Sequence, residues 1–206
     1  MSKTLLFGGS FDPLHCGHLI VSRYVAEHLQ AERVILLPAR RPPHKPGQSL
    51  TPGEHRLEMC RRAVADDTLF EVSDWELAQT GPSYTLLTVQ HFREVLPPAT
   101  QLYWLVGMDS LLELGSWYHV AELVQSCTIV TAARPGYEDP DLSALVGPLS
   151  TQQVATLRAN IVASPLIDIS ATDVRARVSA GHSIRWLVPD PVAAYINDTG
   201  LYRAAT

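Results

Sequence analysis

The chain has 206 residues, 46% of them hydrophobic, with 16 lysines and arginines against 21 aspartates and glutamates and a formal net charge of -5. With a mean hydropathy of +0.04 and a pI near 5.9, this composition supplies a substantial core. It argues against the broad basic face that nucleic acid or an anionic membrane would require. A polyanionic small molecule needs only a local positive pocket and stays open as a ligand. No apolar run approaches the ~20 residues of a membrane span, and Met1-Ser2-Lys3 leads into a strand-like run without a signal-peptide pattern. A soluble, cytoplasmic protein with one domain over residues 1–206 is expected. Cys16, Cys60 and Cys127 are odd in number and form no CxxC, which suits reduced thiols rather than a disulfide framework or a cysteine zinc site.

Short apolar, β-branched runs alternate with amphipathic stretches, the pattern of an α/β fold: a Rossmann-like open parallel sheet with helices on both faces. Strands are predicted over residues 4–8, 33–37, 70–72, 102–106, 128–131 and 160–162. Between the first two, residues 18–29 place Val21, Tyr24, Val25 and Leu29 on one helical face, which completes a βαβ unit. Thr51-Pro52-Gly53-Glu54 has capping-box spacing with proline at the first helical position, predicting a helix over 52–65. Further helices are predicted over 85–95, 109–114, 170–178 and 191–197, the last two separated by Gly181 and the LVPDP break. The proline-rich PARRPPHKPG (38–47) and RPGYEDPD (134–141) read as loops.

The stretch GGSFDPLHCGH (8–18) leaves the first strand and enters the first helix, the place where open α/β sheets bind ligands. Glycine lets backbone approach a phosphate closely, and a helix start adds N–H groups and partial positive charge. His15 and His18 stand there, three residues apart. Neither GxGxxG nor GxxxxGK(S/T) is present, so a dinucleotide fingerprint and a P-loop are both absent. Phosphate cradling by histidine fits better than a metal, because the nearby donors are only Asp12, His15, Cys16 and His18 and a structural zinc site wants four ligands. A lone histidine here would read as a surface or capping residue. Cys16, near a helix start where thiol pKa values tend to fall, reads as a small filler.

GGSFDPLHCGH resembles the GxFDPxHxGH signature of the nucleotidyltransferase superfamily, and Ile169-Ser170-Ala171-Thr172-Asp173-Val174-Arg175 matches its second signature, ISxTxxR. Within that superfamily the chain is similar to bacterial nicotinate-nucleotide adenylyltransferases. The similarity rests on PPHK (42–45), SYT (83–85), GMDSLLELGSWYHVAEL (107–123), RPGY (134–137) and LVPDPVAAYI (187–196), so it spans nearly the whole chain. Ala171 departs from the second serine that many relatives carry. Shorter superfamily members, such as pantetheine-phosphate adenylyltransferases and cytidylyltransferases, share HxGH without the SYT, GxD and tryptophan set. A nucleotide-sensing protein that has lost turnover is a further alternative.

The resemblance implies ATP and nicotinate mononucleotide as substrates, with Mg2+ carried by the ATP and no dedicated protein metal site. It implies that His15, His18 and Arg175 act on the phosphates, near the backbone of Gly8, Gly9, Ser10 and Phe11. Ser170 and Thr172 would approach the triphosphate, and Ile167 and Ile169 would flank the adenine. Both isoleucines could equally be core, and Arg175 a surface helix residue. For the mononucleotide, His44, Lys45 and Arg134 would meet the phosphate, Tyr84 and Thr85 the nicotinate carboxylate, Trp117 the pyridine ring and Asp109 the ribose. Taken residue by residue, a solvated loop, a helix cap, a core tryptophan and a capping aspartate are the plainer readings of those positions.

Overall fold

The computed structural model describes residues 2–43, 49–133 and 139–204. Among them, six strands are formed: β1 (Lys3–Gly9), β2 (Arg33–Pro38), β3 (Phe70–Val72), β4 (Gln101–Gly107), β5 (Thr128–Ala133) and β6 (Ile161–Ala163). They make one sheet in the order β3-β2-β1-β4-β5-β6, with every pairing parallel. The predicted strands are all present, with ends shifted by a residue or two. β2 pairs one edge of β1 with Leu5 opposite Val34, and β4 pairs the other with Leu6 opposite Trp104. The chain therefore steps outward to β3, returns to the middle, and steps outward again. That reversal leaves a crevice above the carboxyl ends of β1 and β4.

The crossovers are α1 (Cys16–Leu29), α2 (Gly53–Ala63), α3 (Trp75–Ala78), α4 (Thr85–Val95), α5 (Met108–Leu112), α6 (Val120–Ser126) and α7 (Thr151–Ala159), followed by α8 (Ala171–Ser179) and α9 (Asp190–Thr199). Among the described residues no helix is long and apolar enough to cross a membrane. Alternate strand residues bury opposite faces of the sheet. Leu6, Ile35, Trp104 and Ile129 pack with Val89 and Phe92 of α4 and Leu123 of α6, whereas Leu5, Val34, Leu36 and Val130 pack with Val25 of α1 and Cys60 of α2. A third cluster joins Met59 of α2 to Val174 of α8 and Val192 and Ile196 of α9. This cluster docks the end of the chain beneath the loop that follows β1.

Three helices have no counterpart among the predicted elements. α3 is a single turn, and α6 buries only Val120 and Leu123, too few apolar positions for a helical period to register. α7 is announced by a capping box: Ser150 Oγ accepts from the Gln153 N–H at 3.3 Å and Gln153 Oε1 accepts from the Ser150 N–H at 2.9 Å. The box predicted at Thr51 does not form. The Thr51 N–H donates to Asp12 Oδ2 at 3.1 Å and its carbonyl accepts from Arg56 Nε at 2.8 Å, so tertiary bonds hold the residue and α2 starts at Gly53. The helix predicted over 109–114 stops at Leu112 and gives way to a 3-10 turn over Leu114–Ser116, where Gly115 and Ser116 favour a helix less than the leucines before them.

Candidate active site

The loop after β1 is crowded by rings. A Cβ on Gly8 would lie 2.6 Å from the Trp104 indole, and one on Gly9 would lie 3.0 Å from the Phe11 ring. A Cβ on Gly17 would lie 3.1 Å from His15 Nδ1 and 3.2 Å from Ile167 Cγ2. These glycines are therefore required by side-chain packing, before any phosphate is considered. Phe11 adopts φ +46, and its buried ring stands edge-on to His18 at 5.1 Å and to Phe7 at 5.4 Å.

Asp12 is the hub beneath the loop, with only 3% of its surface exposed. Its Oδ1 accepts from the Tyr202 hydroxyl at 2.6 Å and its Oδ2 from the Thr51 N–H. Its carbonyl accepts from Arg175 Nη1 at 2.7 Å, and Arg175 Nη2 also donates to Thr172 Oγ1 at 3.3 Å. The two signature segments thus touch directly. Burial and the adjacent Asp12 carboxylate push the Tyr202 phenol well above its usual range. Arg56, 2% exposed, donates Nη1 to the Ser10 carbonyl at 2.7 Å and Nε to the Thr51 carbonyl. Replacing Arg56 with alanine removes both charge-assisted bonds and leaves two part-buried carbonyls without this partner. That should cost about 3 kcal/mol or more in chemical denaturation; a loss below ~1 kcal/mol would contradict this account of the loop.

His15 precedes α1 as its N-cap residue, and the His15 N–H donates to His18 Nδ1 at 3.2 Å. This is one half of a capping box, with imidazole in the place usually held by Glu or Gln. Because Nδ1 of His18 is an acceptor, the neutral ring carries its proton on Nε2. The two imidazoles stack with centroids 3.5 Å apart and planes 23° from parallel. His15 is 6% exposed, its Nδ1 is buried with no hydrogen-bond partner among the described residues, and burial lowers its pKa from 6.5 to about 4. NMR of the ligand-free protein should find it titrating near that value. Since the folded pKa lies below the unfolded one, the neutral ring's contribution to stability is complete above pH 6.5 and is lost as pH falls through about 4. The loss is on the order of 3 kcal/mol. A His15→Phe protein should show a flatter stability profile across that window, and an unchanged slope would refute the assignment.

The α1 start offers fewer N–H groups than its position suggests. Cys16 N–H donates to the Leu187 carbonyl at 2.8 Å and His18 N–H to the His15 carbonyl at 3.0 Å. The expected fall in the Cys16 pKa is reversed, because burial and the Asp190 carboxylate raise it. Ser170 is an N-cap: its Oγ accepts from the Asp173 N–H at 3.1 Å and donates to Asp173 Oδ2 at 2.7 Å.

Two cavities open beside this loop. The first, about 230 Å³, sits at the carboxyl ends of β1 and β4 and is lined by Gly8, Gly9, Ser10, Pro42, Pro43, Thr85 and Trp117. The second, about 390 Å³, is lined by Val21, Asp109, Ala132, Ser164 and Ile167. Gly107 belongs to both. Asp109 lines the second cavity with Ile167, while its neighbour Ser110 lines the first with Thr85 and Trp117. Tyr84 is the N-cap of α4, with its ring stacked on Tyr118 at 4.3 Å, and it lines a neighbouring cavity with Trp75. Ile169 packs against the third core cluster. His44, Lys45 and Arg134 lie outside the described residues. Arg56, Glu76 and Tyr202 are not singled out by the sequence, and Asp12 enters there only as a metal donor within the first signature, not as the hub of the loop.

Comparison with known proteins agrees with this geometry. The cytidylyltransferase-like family matches residues 6–177. A Roseiflexus castenholzii protein named "probable nicotinate-nucleotide adenylyltransferase" is 42% identical over 203 residues, covering 98% of each chain. One of the same name from Symbiobacterium thermophilum is 39% identical over 202 residues, covering 98% of this chain and 96% of the other. Among solved structures, Plasmodium falciparum nicotinic acid mononucleotide adenylyltransferase complexed with NaAD superposes with a TM-score of 0.72 at 19% identity, covering 98% of both chains. The chain belongs to the cytidylyltransferase-like family and, within it, groups with the nicotinate-nucleotide adenylyltransferases.

Proposed function

We propose that the protein joins nicotinate mononucleotide to ATP, forming nicotinate adenine dinucleotide and pyrophosphate in NAD biosynthesis. The observation that carries this reading is the pair of cavities sharing Gly107 at the end of β4, together with the loop after β1 that holds the stacked His15 and His18 and is bonded by Arg175 at Asp12. An oxygen of the mononucleotide 5′-phosphate attacks the α-phosphorus of ATP, and the bond to the pyrophosphate oxygen breaks. That phosphate has its second pKa near 6 and is already largely dianionic at neutral pH, so no general base is needed. Positioning and charge stabilisation carry the rate.

In this scheme the first cavity takes the mononucleotide. Trp117 offers its face to the pyridine ring, and the α4 start receives the carboxylate. The Leu87 and Thr88 N–H groups bond back to the Tyr84 carbonyl, whereas those of Thr85 and Leu86 have no intrahelical acceptor. His44, Lys45 and Arg134 would meet the mononucleotide phosphate, as the resemblance implies. The second cavity takes the adenosine, with Ile167 against the base and Asp109 on the ribose of ATP. Arg175 keeps three N–H donors beyond its two observed bonds, and with Thr172 and the histidines it would face the triphosphate.

Mg2+ enters as part of the nucleotide substrate. Among the described residues no group of three His, Cys, Asp or Glu side chains is placed to hold a cation, and the Asp12 carboxylate is already committed to Tyr202 and Thr51. Mg2+ commonly keeps waters and substrate phosphate oxygens as its ligands, and that is the coordination proposed for it. The test is pyrophosphate release with ATP and nicotinate mononucleotide, run beside the amide mononucleotide and pantetheine phosphate. One pyrophosphate per dinucleotide, with no release from ATP alone, is expected. Binding without release would favour a nucleotide sensor, and turnover of pantetheine phosphate would move the chain to another branch of the family.

A further inference from the structure

Glu76 is a buried carboxyl group that the adenylyl-transfer scheme does not use. It is 4% exposed and lines both the first cavity and the neighbouring cavity beside α4. Thr88, itself fully buried, donates its hydroxyl to Glu76 Oε1 at 2.7 Å, and Ser83 lines the same two cavities as the carboxyl. Burial pushes the carboxyl pKa up, against the stabilisation of its charged form by Thr88 and Ser83. A carboxyl so placed, with no cation bonded to it among the described residues, is costly to keep, which makes it a candidate for a functional role.

Its partners explain what the cost supports. Ser83 Oγ accepts from the N–H groups of Arg40 at 3.0 Å and Arg41 at 3.4 Å, and the Ser83 N–H donates to the Arg41 carbonyl at 3.0 Å. The Arg40 guanidinium donates to the carbonyls of Leu77 and Gln79 at the end of α3. Glu76 thus joins α3 to α4 through Thr88, beside the Ser83 hydroxyl that holds the strand exit leading to Pro42 and Pro43. Glu76, Ser83, Thr85, Pro42 and Pro43 all line the first cavity.

We propose that Glu76 is a positioning residue for acid recognition: through Ser83 and Thr88 it fixes the α4 start relative to the Pro42 and Pro43 wall, so that the Thr85 N–H meets the substrate carboxylate. This rests on the reading of the first cavity as the mononucleotide site. A rim that loosens by a fraction of an ångström weakens an oriented bond without touching the reacting phosphates.

The experiment is steady-state pyrophosphate release by the full chain, with acid and amide mononucleotides, for the unmodified protein and for Glu76→Ala, Glu76→Gln and Ser83→Ala. In Glu76→Ala and Ser83→Ala, KM for nicotinate mononucleotide should rise roughly tenfold and the acid-over-amide ratio should fall by a similar factor, as expected for one lost hydrogen-bonded anchor. KM for ATP and kcat should stay within about twofold, because the HxGH loop is untouched. Glu76→Gln keeps an acceptor oxygen and should recover most of both losses. Ser83→Ala, at a partly exposed position, decides the matter if Glu76→Ala does not fold. An unchanged ratio, or equal rises in both KM values, would overturn the positioning role while the unmodified protein still prefers the acid. No turnover of nicotinate mononucleotide by the unmodified protein would remove the functional reading, and this proposal with it.

Discussion

His18→Ala is expected to lower kcat by roughly 10²–10⁴ with a smaller change in KM, the signature of a group that stabilises the transition state more than the bound substrates. With His18 Nδ1 accepting from the His15 N–H, the ring proton sits on Nε2, and Nε2–H is the donor expected to follow charge developing around the α-phosphorus. The alanine variant also removes the capping acceptor and the ring stacked on His15, so lost activity could be confused with a frayed helix start. His18→Gln separates the two effects. Glutamine three residues after an N-cap supplies the acceptor of an ordinary capping box, which should restore most of the stability, yet it lacks an imidazole and should leave kcat low. Near-normal kcat in either folded variant would remove His18 from the chemistry.

The histidine loop is legible in the sequence because its parts are local: strand, glycines, two imidazoles and a helix start fall within residues 8–18. What holds the loop is not local. Arg56, Arg61 and Arg62 lie on one helix, and only the fold distinguishes them. Arg61 and Arg62 are half-exposed and pair with Asp74 and Glu58, whereas Arg56 is buried on two backbone carbonyls. Tyr202, next to the end of the described chain, reaches Asp12 across 190 residues, a contact that no window of sequence contains. The two capping boxes make the same point in opposite directions. Ser150 ahead of α7 and Gln153 in its first turn form theirs on an exposed surface, while Thr51 has the right spacing but is drawn away by Asp12 and Arg56. Asp109 follows β4 directly, and composition cannot say which of two cavities at one strand end it will line. Glu76 sits in a single-turn helix with no periodicity of its own, so its burial could emerge only from the packing of α4 above it.

The acid mononucleotide should be preferred over the amide by roughly 10²-fold or more in kcat/KM, and backbone rather than a cationic side chain should carry that preference. A helix start presents N–H donors, which suit the two acceptor oxygens of a carboxylate and oppose the NH₂ of an amide donor to donor. Thr85 is the first residue of α4, and Tyr84 before it has φ -78 and ψ 122. Both conditions favour a proline substitution. Proline is well accepted at a first helical position, where the N–H has no helical partner, and the residue before a proline must lie in the extended region that Tyr84 already occupies. Thr85→Pro should therefore fold, delete one N–H and collapse the discrimination, whereas Thr85→Ala should keep much of it. Circular dichroism and thermal melting would verify that the proline variant retains α4. Discrimination preserved in a folded Thr85→Pro protein would transfer the recognition to side chains, and equal kcat/KM for acid and amide in the unmodified protein would indicate a broader mononucleotide adenylyltransferase.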